Sequence, residues 1–597
     1  MLKQIETNMN IVERIAALRA AMNQNGIGAV IIPSNDPHQS EYVAELWKGR
    51  EWISGFTGSA GTIVIGKDKA GLWTDSRYYL QGSQELSGTG IDLYKLSDIG
   101  YADWLGEELG AGGKVAIAGD ICAIGQLESL EGKLSKYGVE VVTQYDLISE
   151  AWEGQPELPG TEIFTLDVKY CGESRVDKLS RIKKKMAAQG AEYHLVSTLD
   201  DIAWIFNIRG SDVDFNPVAV AYALIGQEKT ILYIQDHKVP ASIKSELAAN
   251  GVECKDYFDI VADLNHLPEG KTILIDPSNC SSVHYKAINC NVVRGKTIAR
   301  HMKAIKNDVE IAHSKNSMVK DGVALANTFY WLEQLHKSGS TCTEAEFSDK
   351  LAESRGKQDL YVGESFPAII GYRSNGAIIH YRPMHGSSHE IKPEGILLAD
   401  SGGQYLDGTT DITRTITLST PSQEEKRNFT LVLKGHIQLA RAKFPKGTTG
   451  GQLDTLARMH LWEHGLNYGH GTGHGVGFFL NVHEPPQGFA PGSSERANVA
   501  HEAGMFSSNE PGFYKEGAYG MRIENLFYTV KSKMEGFLEF DTITLYPIDL
   551  KLIDENIMTK SEKAWLNKYH NEVLKKVGPH LEGDMKTWFE IKCRGMN

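Results

Sequence analysis

The feature that most constrains this chain is a stretch that occurs twice. Asp400-Ser-Gly-Gly-Gln-Tyr-Leu-Asp-Gly-Thr-Thr-Asp411 is entered by the apolar run Gly395-Ile-Leu-Leu-Ala399 and left by the alternating Ile412-Thr-Arg-Thr-Ile-Thr-Leu418. That pattern reads as strand, glycine-rich connection, strand, with one carboxylate on each arm. About 110 residues later, Asn509-Glu510-Pro-Gly-Phe-Tyr-Lys-Glu-Gly-Ala-Tyr-Gly-Met-Arg-Ile-Glu524 repeats it. Asp400 falls over Glu510, Gly402 over Gly512, Asp407-Gly408 over Glu516-Gly517, and Asp411 over Glu524. The helices repeat as well. Asp308–Lys337 and Thr341–Arg355 precede the first hairpin, Glu424–Phe444 and Thr448–Gly465 the second. Residues 307–550 therefore read as two αα-plus-hairpin halves around a central antiparallel sheet, with one site between them.

Four carboxylates at one site repel each other and are costly to keep ionised. A pair of divalent cations removes that problem. Between the hairpins stands Tyr468-Gly-His470-Gly-Thr-Gly-His474-Gly-Val-Gly477, whose glycines allow close backbone approach. Asp400, Asp411, His474, Glu510 and Glu524 make a hard, oxygen-rich ligand set suited to manganese and less selectively to cobalt, iron or zinc. Any one of these acids alone reads equally well as a turn former or a solvated charge; the ordered, repeated set does not. His380, His470 and His483 lie close to the motif, where a histidine can move a proton or hold an oxyanion, although a lone histidine in a glycine-rich loop is more often structural. Arg522 stands two residues before Glu524 and so shares its strand face, where it could orient a carboxylate. His483-Glu484 is followed by Pro485-Pro486, which rules out a His-Glu-x-x-His zinc helix.

Gly376-Ala-Ile-Ile-His380-Tyr, Asp407-Gly-Thr-Thr-Asp411, Gly471-Thr-Gly-His474-Gly-Val-Gly, Asn481-Val-His483-Glu and Arg522-Ile-Glu-Asn carry a resemblance over nearly the whole chain. The set resembles the pita-bread metallopeptidases (methionine aminopeptidase, prolidase, aminopeptidase P and the metal-free creatinase), most of all the long, three-domain aminopeptidase P family. The resemblance implies an α/β (α+β) protein, two creatinase-like N-terminal α/β domains followed by a pita-bread catalytic domain. It implies two metal ions bridged by Asp411 and Glu524, with Asp400 completing one site and His474 with Glu510 the other, and a hydroxide held between them. His380, His483 and Glu510 would be the catalytic groups: His380 assisting proton transfer and His483 holding the substrate carbonyl. His470 would line a proline pocket, and Tyr514 and Arg77 would be further substrate contacts; for Arg77 an interdomain salt bridge is the competing reading. The implied substrates are short peptides with proline second. A prolyl bond is a tertiary amide without N–H, so a ring pocket, with Phe366 and Phe478 as nearby aromatics, serves better than a grip on the backbone. Two alternatives stay open: a prolidase or creatinase-type enzyme, usually built with one N-terminal unit, and a metal-free binding or scaffold relative.

The rest of the chain is consistent with that plan. At 597 residues it is too long for one core. Residues 1–160 and 161–306 look like two copies of one unit. Arg181–Gly190 echoes Arg14–Gly26, Asp200 and Trp204 echo Asp36 and Trp52, and Ile225–Tyr233 echoes Ile65–Trp73. Pro156–Gly160 reads as a linker, and Ser54–Gly61 as structural turns, since it lacks the ending of a phosphate loop. Residues 551–597 read as a helical extension whose Trp565, Trp588 and Phe589 point to a homodimer, as the resemblance also implies. A net charge of −14 disfavours nucleic acid or an anionic membrane as partner. Seven scattered cysteines without paired spacing suit a reducing, cytoplasmic compartment. The first 25 residues read as an amphipathic helix and not as a signal peptide.

Overall fold

A computed structural model describes residues 9–492 and 494–596. The chain forms two compact units, one made of the residues up to Thr165 with Glu173–Ala299, the other of Leu166–Gly172 with Arg300 onwards. The first eight residues of the N-terminal helix reading lie outside the described residues; the helix itself runs over Ile11–Gln24, started by a reciprocal cap between Asn10 and Glu13.

The repeat in the first unit is a repeat of topology. One six-stranded sheet runs in the order Asp92–Lys95, Ala70–Thr74, Thr62–Gly66, Ala29–Ile32, Lys114–Ala116, Glu140–Val142. The other runs Val252–Lys255, Thr230–Tyr233, Tyr222–Gly226, Tyr193–Val196, Thr272–Ile275, Asn291–Arg294. In each, the strand after the first helix of its repeat pairs antiparallel on one side and parallel on the other. Those central strands, Ala-Val-Ile-Ile and Tyr-His-Leu-Val, are nearly all apolar, as burial on both faces requires. The two sheets' lobes join through equivalent loops: Ile124 N–H donates to the Cys280 carbonyl and Ser282 N–H to that of Cys122, both at 2.8 Å. Ser54–Gly61 is turn structure, as expected. Gly55 ends the helix Gly49–Ser54 at φ +72°, and the Arg50 guanidinium donates to the Gly58 carbonyl.

The second unit carries the two halves. Helices Asp308–Lys337 and Glu344–Gly356 precede the strands Ile369–Tyr372, Ile396–Ser401 and Ile412–Thr417; helices Gln423–Ala440 and Gly450–Trp462 precede Gly473–Gly475, Phe506–Asn509 and Asn525–Lys531. The sheet is divided into three-stranded and six-stranded parts. The strand Ile412–Thr417 of the three-stranded part meets the second hairpin where Thr415 Oγ1 donates to the carbonyl of Arg522, at the end of the two-stranded ribbon Gly512–Lys515/Tyr519–Arg522, at 2.9 Å, and Glu524 N–H donates to the Thr413 carbonyl at 3.1 Å.

Two sequence expectations need correction. The helix predicted to reach Phe444 ends at Ala440, because Lys443–Pro445 pairs with Phe537–Thr542 and Phe444 is buried among Phe489, Phe527 and Leu538; the residue before a proline is also pushed towards extended backbone. Leu166–Gly172 packs with the second unit. Leu166 and Cys171 pack against Phe478 and Phe479, and Asn307 Nδ2 donates to the Cys171 carbonyl at 2.8 Å. Residues 551–596 carry the expected helices. Helices Lys560–Val577 and Gly583–Lys592 bury Leu566, Tyr569, Trp588 and Phe589 in the unit's own core, so these aromatics give no support to a dimer. Among the described residues no helix is long and apolar enough to cross a membrane, and none of the seven cysteines is in a disulfide.

Candidate metal centre

The two hairpins bring their carboxylates together through strand register. Asp400 opposes Thr413 in the ladder between Ile396–Ser401 and Ile412–Thr417. Asp411 lies two residues before Thr413 and so shares its face. In the second hairpin the last ladder pair is Asn509 with Asn525, which leaves Glu510 and Glu524 just beyond it. Asp400 is thus inside its ladder and Glu510 outside, a shift of two positions that keeps the face and changes the depth. The hairpin tips differ more. Asp407 is buried and bound by Lys320 Nζ at 2.6 Å and Asn316 Nδ2 at 2.9 Å, whereas Glu516 is exposed.

His474 enters from Gly473–Gly475. A Cβ on Gly473 would meet the Ser508 carbonyl at 2.0 Å and one on Gly475 the Glu484 carbonyl at 2.2 Å, so only glycine lets this strand approach its neighbours. His474 Nδ1 is 2.9 Å from the Gly475 carbonyl and must carry the proton that bond needs. Nε2 is left as a lone pair, 3.4 Å from Asp411 Oδ2 and 3.6 Å from Glu510 Oε1. Asp411, His474 and Glu524 each present a ligand atom within 4.8 Å of the others.

Burial sets the electrostatics. It pushes the Asp400 and Asp411 carboxyls up to about 6; the Asp411 charge pushes Asp400 further and Arg522 opposes it. Glu510 is raised chiefly by burial, and Glu524 well above the carboxylate range by burial and the three neighbouring acids. Burial, with the His483 charge, depresses His474 to about 4, so its imidazole stays neutral at pH 7. Asp411 and Glu524 hydrogen-bond each other, and Asp400 Oδ1 is buried without a hydrogen-bond partner. A buried carboxylate oxygen with no donor, beside acids that repel one another and an imidazole lone pair, is a donor set waiting for cations. The residues present fit hard divalent ions.

Arg522 links this set to its surroundings. Its guanidinium binds Asp400 Oδ2 at 2.6 Å, Thr413 Oγ1 at 3.1 Å and the Tyr514 hydroxyl at 2.6 Å. The Tyr514 oxygen lies 2.9 Å from His470 Nε2. A continuous chain therefore runs from His470 through Tyr514 and Arg522 to Asp400. His483 stacks edge-on against His474 with centroids 4.2 Å apart. His380 follows Ile379, whose carbonyl accepts from Arg522 Nη2 at 3.5 Å. Phe478 is buried beside Leu166, Cys171 and Phe479, and Phe366 is buried too. Arg77, in the first unit, is held by Asp75 in a two-pronged ion pair at 2.8 and 2.7 Å.

Sequence reasoning missed several supporting residues. Thr413 Oγ1 donates to Glu524 Oε2 at 2.8 Å; its two-residue spacing from Asp411 was a usable signal. Buried Arg458 donates to the Tyr468 carbonyl at 2.9 Å and the His470 carbonyl at 2.7 Å. Its partner Asp454 binds Arg458 Nε at 2.6 Å and accepts from Thr472 Oγ1 at 2.5 Å. The i, i+4 spacing marks a helical ion pair, but nothing in it points to the histidine loop.

The fold and this centre define the class. Residues 312–531 match the model of metallopeptidase family M24. Residues 14–150 and 154–310 match two models described as Creatinase/Prolidase N-terminal domain, and 536–596 the C-terminal region of peptidase M24. Full-length relatives narrow this. The chain is 38% identical to Aminopeptidase P2 of Arabidopsis thaliana over 98% of its own length and 88% of that protein. It is 39% identical to the probable Xaa-Pro aminopeptidase P of Laccaria bicolor over 98% of its length and 94% of that protein. The crystal structure of an X-prolyl aminopeptidase from Caenorhabditis elegans, described as a cytosolic enzyme with a di-nuclear active site, superposes with a TM-score of 0.94 at 33% identity, covering 98% of this chain and 100% of the other. The chain belongs to the Xaa-Pro aminopeptidase P family.

Proposed function

We propose that this chain is a metalloaminopeptidase that removes the first residue from peptides with proline in second position, using two divalent ions held between its hairpins. One observation carries the reading: the buried set of Asp411, His474 and Glu524 within 4.8 Å, with Glu510 against His474 and an unpartnered Asp400 oxygen beside it. In this reading Asp411 and Glu524 would hold both ions, Asp400 would complete one site and His474 with Glu510 the other, and manganese would be the preferred ion for so oxygen-rich a set. When bound, the ions supply Lewis acidity for the scissile carbonyl and lower the pKa of water into the neutral range.

The chain's own residues do the rest. Arg522 fixes the direction of Asp400 and removes one negative charge from the cluster. His380 moves the proton, His483 holds the substrate carbonyl, and Glu510 is a catalytic group as well as a ligand. His470, tied to Tyr514, lines the pocket for the prolyl ring, which has no N–H to offer a backbone grip. Tyr514 and Arg77 are the further substrate contacts. We also propose the four-part division 1–160, 161–306, 307–550 and 551–597. A cytoplasmic location fits seven cysteines without a disulfide among them and the description of the worm enzyme as cytosolic. A homodimer is proposed from the family resemblance alone.

The test is metal analysis. The purified chain should hold about two divalent ions, lose activity on chelation and regain it with manganese. Asp411→Ala and Glu524→Ala should each lose both ions, because each bridges. Full occupancy and activity in either variant would contradict the assignment.

A further inference from the structure

His380 lies in a segment that nothing regular supports. Between the short 3₁₀ turn Arg373–Ala377 and the strand Glu390–Ile391, residues 378–389 form neither helix nor strand. A histidine that must meet a reacting group within a few tenths of an ångström cannot rest on a loose loop.

One buried carboxylate holds the whole segment. Glu344, the first residue of the helix Glu344–Gly356 and fully buried, accepts from the Tyr372 N–H at 2.7 Å, where the segment begins. It accepts from the His389 N–H at 2.8 Å, where the segment ends. Asn375 Nδ2 reaches both of its oxygens at 3.1 Å, and the Tyr381 hydroxyl donates at 2.8 Å. The Glu344 N–H in turn donates to the His389 carbonyl at 2.9 Å. Every group facing the carboxylate is a donor, and it sits at a helix N-terminus, where negative charge is favoured.

His380 stands between two anchored neighbours. On one side the Ile379 carbonyl is held by Arg522, which also binds Asp400; on the other the Tyr381 ring is held by Glu344. We infer that Glu344 is a positioning residue for the reaction: it closes the 372–389 segment and fixes His380 against the Arg522–Asp400 side of the centre. This rests on the role proposed for His380 above. Glu344 touches neither substrate nor ion and acts only through the histidine.

The experiment is a double-mutant cycle on the metal-loaded, full-length chain, with a proline-second tripeptide as substrate. Glu344→Gln keeps the shape but turns an NH₂ towards groups that are all donors. It should keep its metal content and KM and lose about 10- to 100-fold in kcat. In the His380→Ala background the same change should cost less than about twofold, since the group it positions is gone. Equal losses in both backgrounds would make Glu344 a general structural residue and overturn the inference, as would a native kcat in Glu344→Gln. If Glu344→Gln fails to fold, Tyr381→Phe removes one hydroxyl and should cost about 3- to 10-fold in kcat, again only when His380 is present; a cost that persists without His380 overturns the inference. A near-native kcat in His380→Ala is a different failure. It refutes the role of the histidine, and the inference goes with it.

Discussion

The burial of the carboxylates makes metal affinity steeply dependent on pH in a range where ordinary ligands are indifferent. Asp400 and Asp411 stand at about 6 in the metal-free protein, and Glu510 and Glu524 are raised as well. An entering cation must displace those protons. The sign follows: these values are raised, so the proton is held more tightly and affinity is lost as pH falls through about 6. A group at about 6 is roughly 90% ionised at pH 7 and roughly 10% at pH 5, which is about tenfold in affinity per carboxylate. Asp400 and Asp411 raise each other and titrate together, so affinity should fall at least about tenfold from pH 7 to pH 5, with the two glutamates adding to it. Carboxylates at their usual value near 4 would give almost no change over the same interval. His474 adds little, because burial already holds it neutral to about 4. The assay is competition with a chromogenic chelator for manganese at pH 5, 6 and 7. Asp400→Asn removes one competing proton and one repelling charge, so it should bind more weakly at pH 7 but with a shallower pH dependence. An affinity that changes less than threefold between pH 7 and 5, or a dependence unchanged in Asp400→Asn, would refute the reasoning.

Two further outcomes follow from the same geometry. His380→Ala and His483→Ala should keep both ions and the fold while losing roughly 10²- to 10⁴-fold in kcat, read by steady-state kinetics beside metal analysis; native rate constants would make these residues structural. Sedimentation at micromolar concentration should give a dimer. A monomer would end that proposal, which no longer has the C-terminal aromatics behind it.

What the sequence revealed and what it hid divide along physical lines. Asp411 and Glu524 were legible because a repeated turn and a two-residue strand period are local signals. Arg522 was legible for the same reason: two residues from Glu524 it shares a face, and its guanidinium does reach Asp400 at 2.6 Å. The two N-terminal copies were legible as echoes of apolar runs, and they share one strand order. Glu344 was not legible. Four of its acceptor bonds come from main-chain N–H groups and an amide that leave no residue pattern, and all its partners lie 28 to 45 positions away. Arg458 was hidden similarly, since it binds carbonyls, which every residue has. The end of the helix before Phe444 was set by pairing with Leu538, far along the chain. The aromatics at Trp565 and Trp588 carried little weight for a dimer because sequence does not distinguish a side chain that covers its own core from one that meets a partner. Trp588 Nε1 in fact donates to Glu333 of the same unit at 2.8 Å.

The central claim is cleavage before proline by an enzyme that removes one residue at a time. It is tested most directly by the manganese-loaded protein with three substrates: a tripeptide with proline second, its alanine-second analogue, and a dipeptide ending in proline. The account predicts release of the first residue from the proline tripeptide and little from the alanine analogue. Equal rates on the two tripeptides would contradict proline recognition, and hydrolysis of the dipeptide alone would make the chain a prolidase.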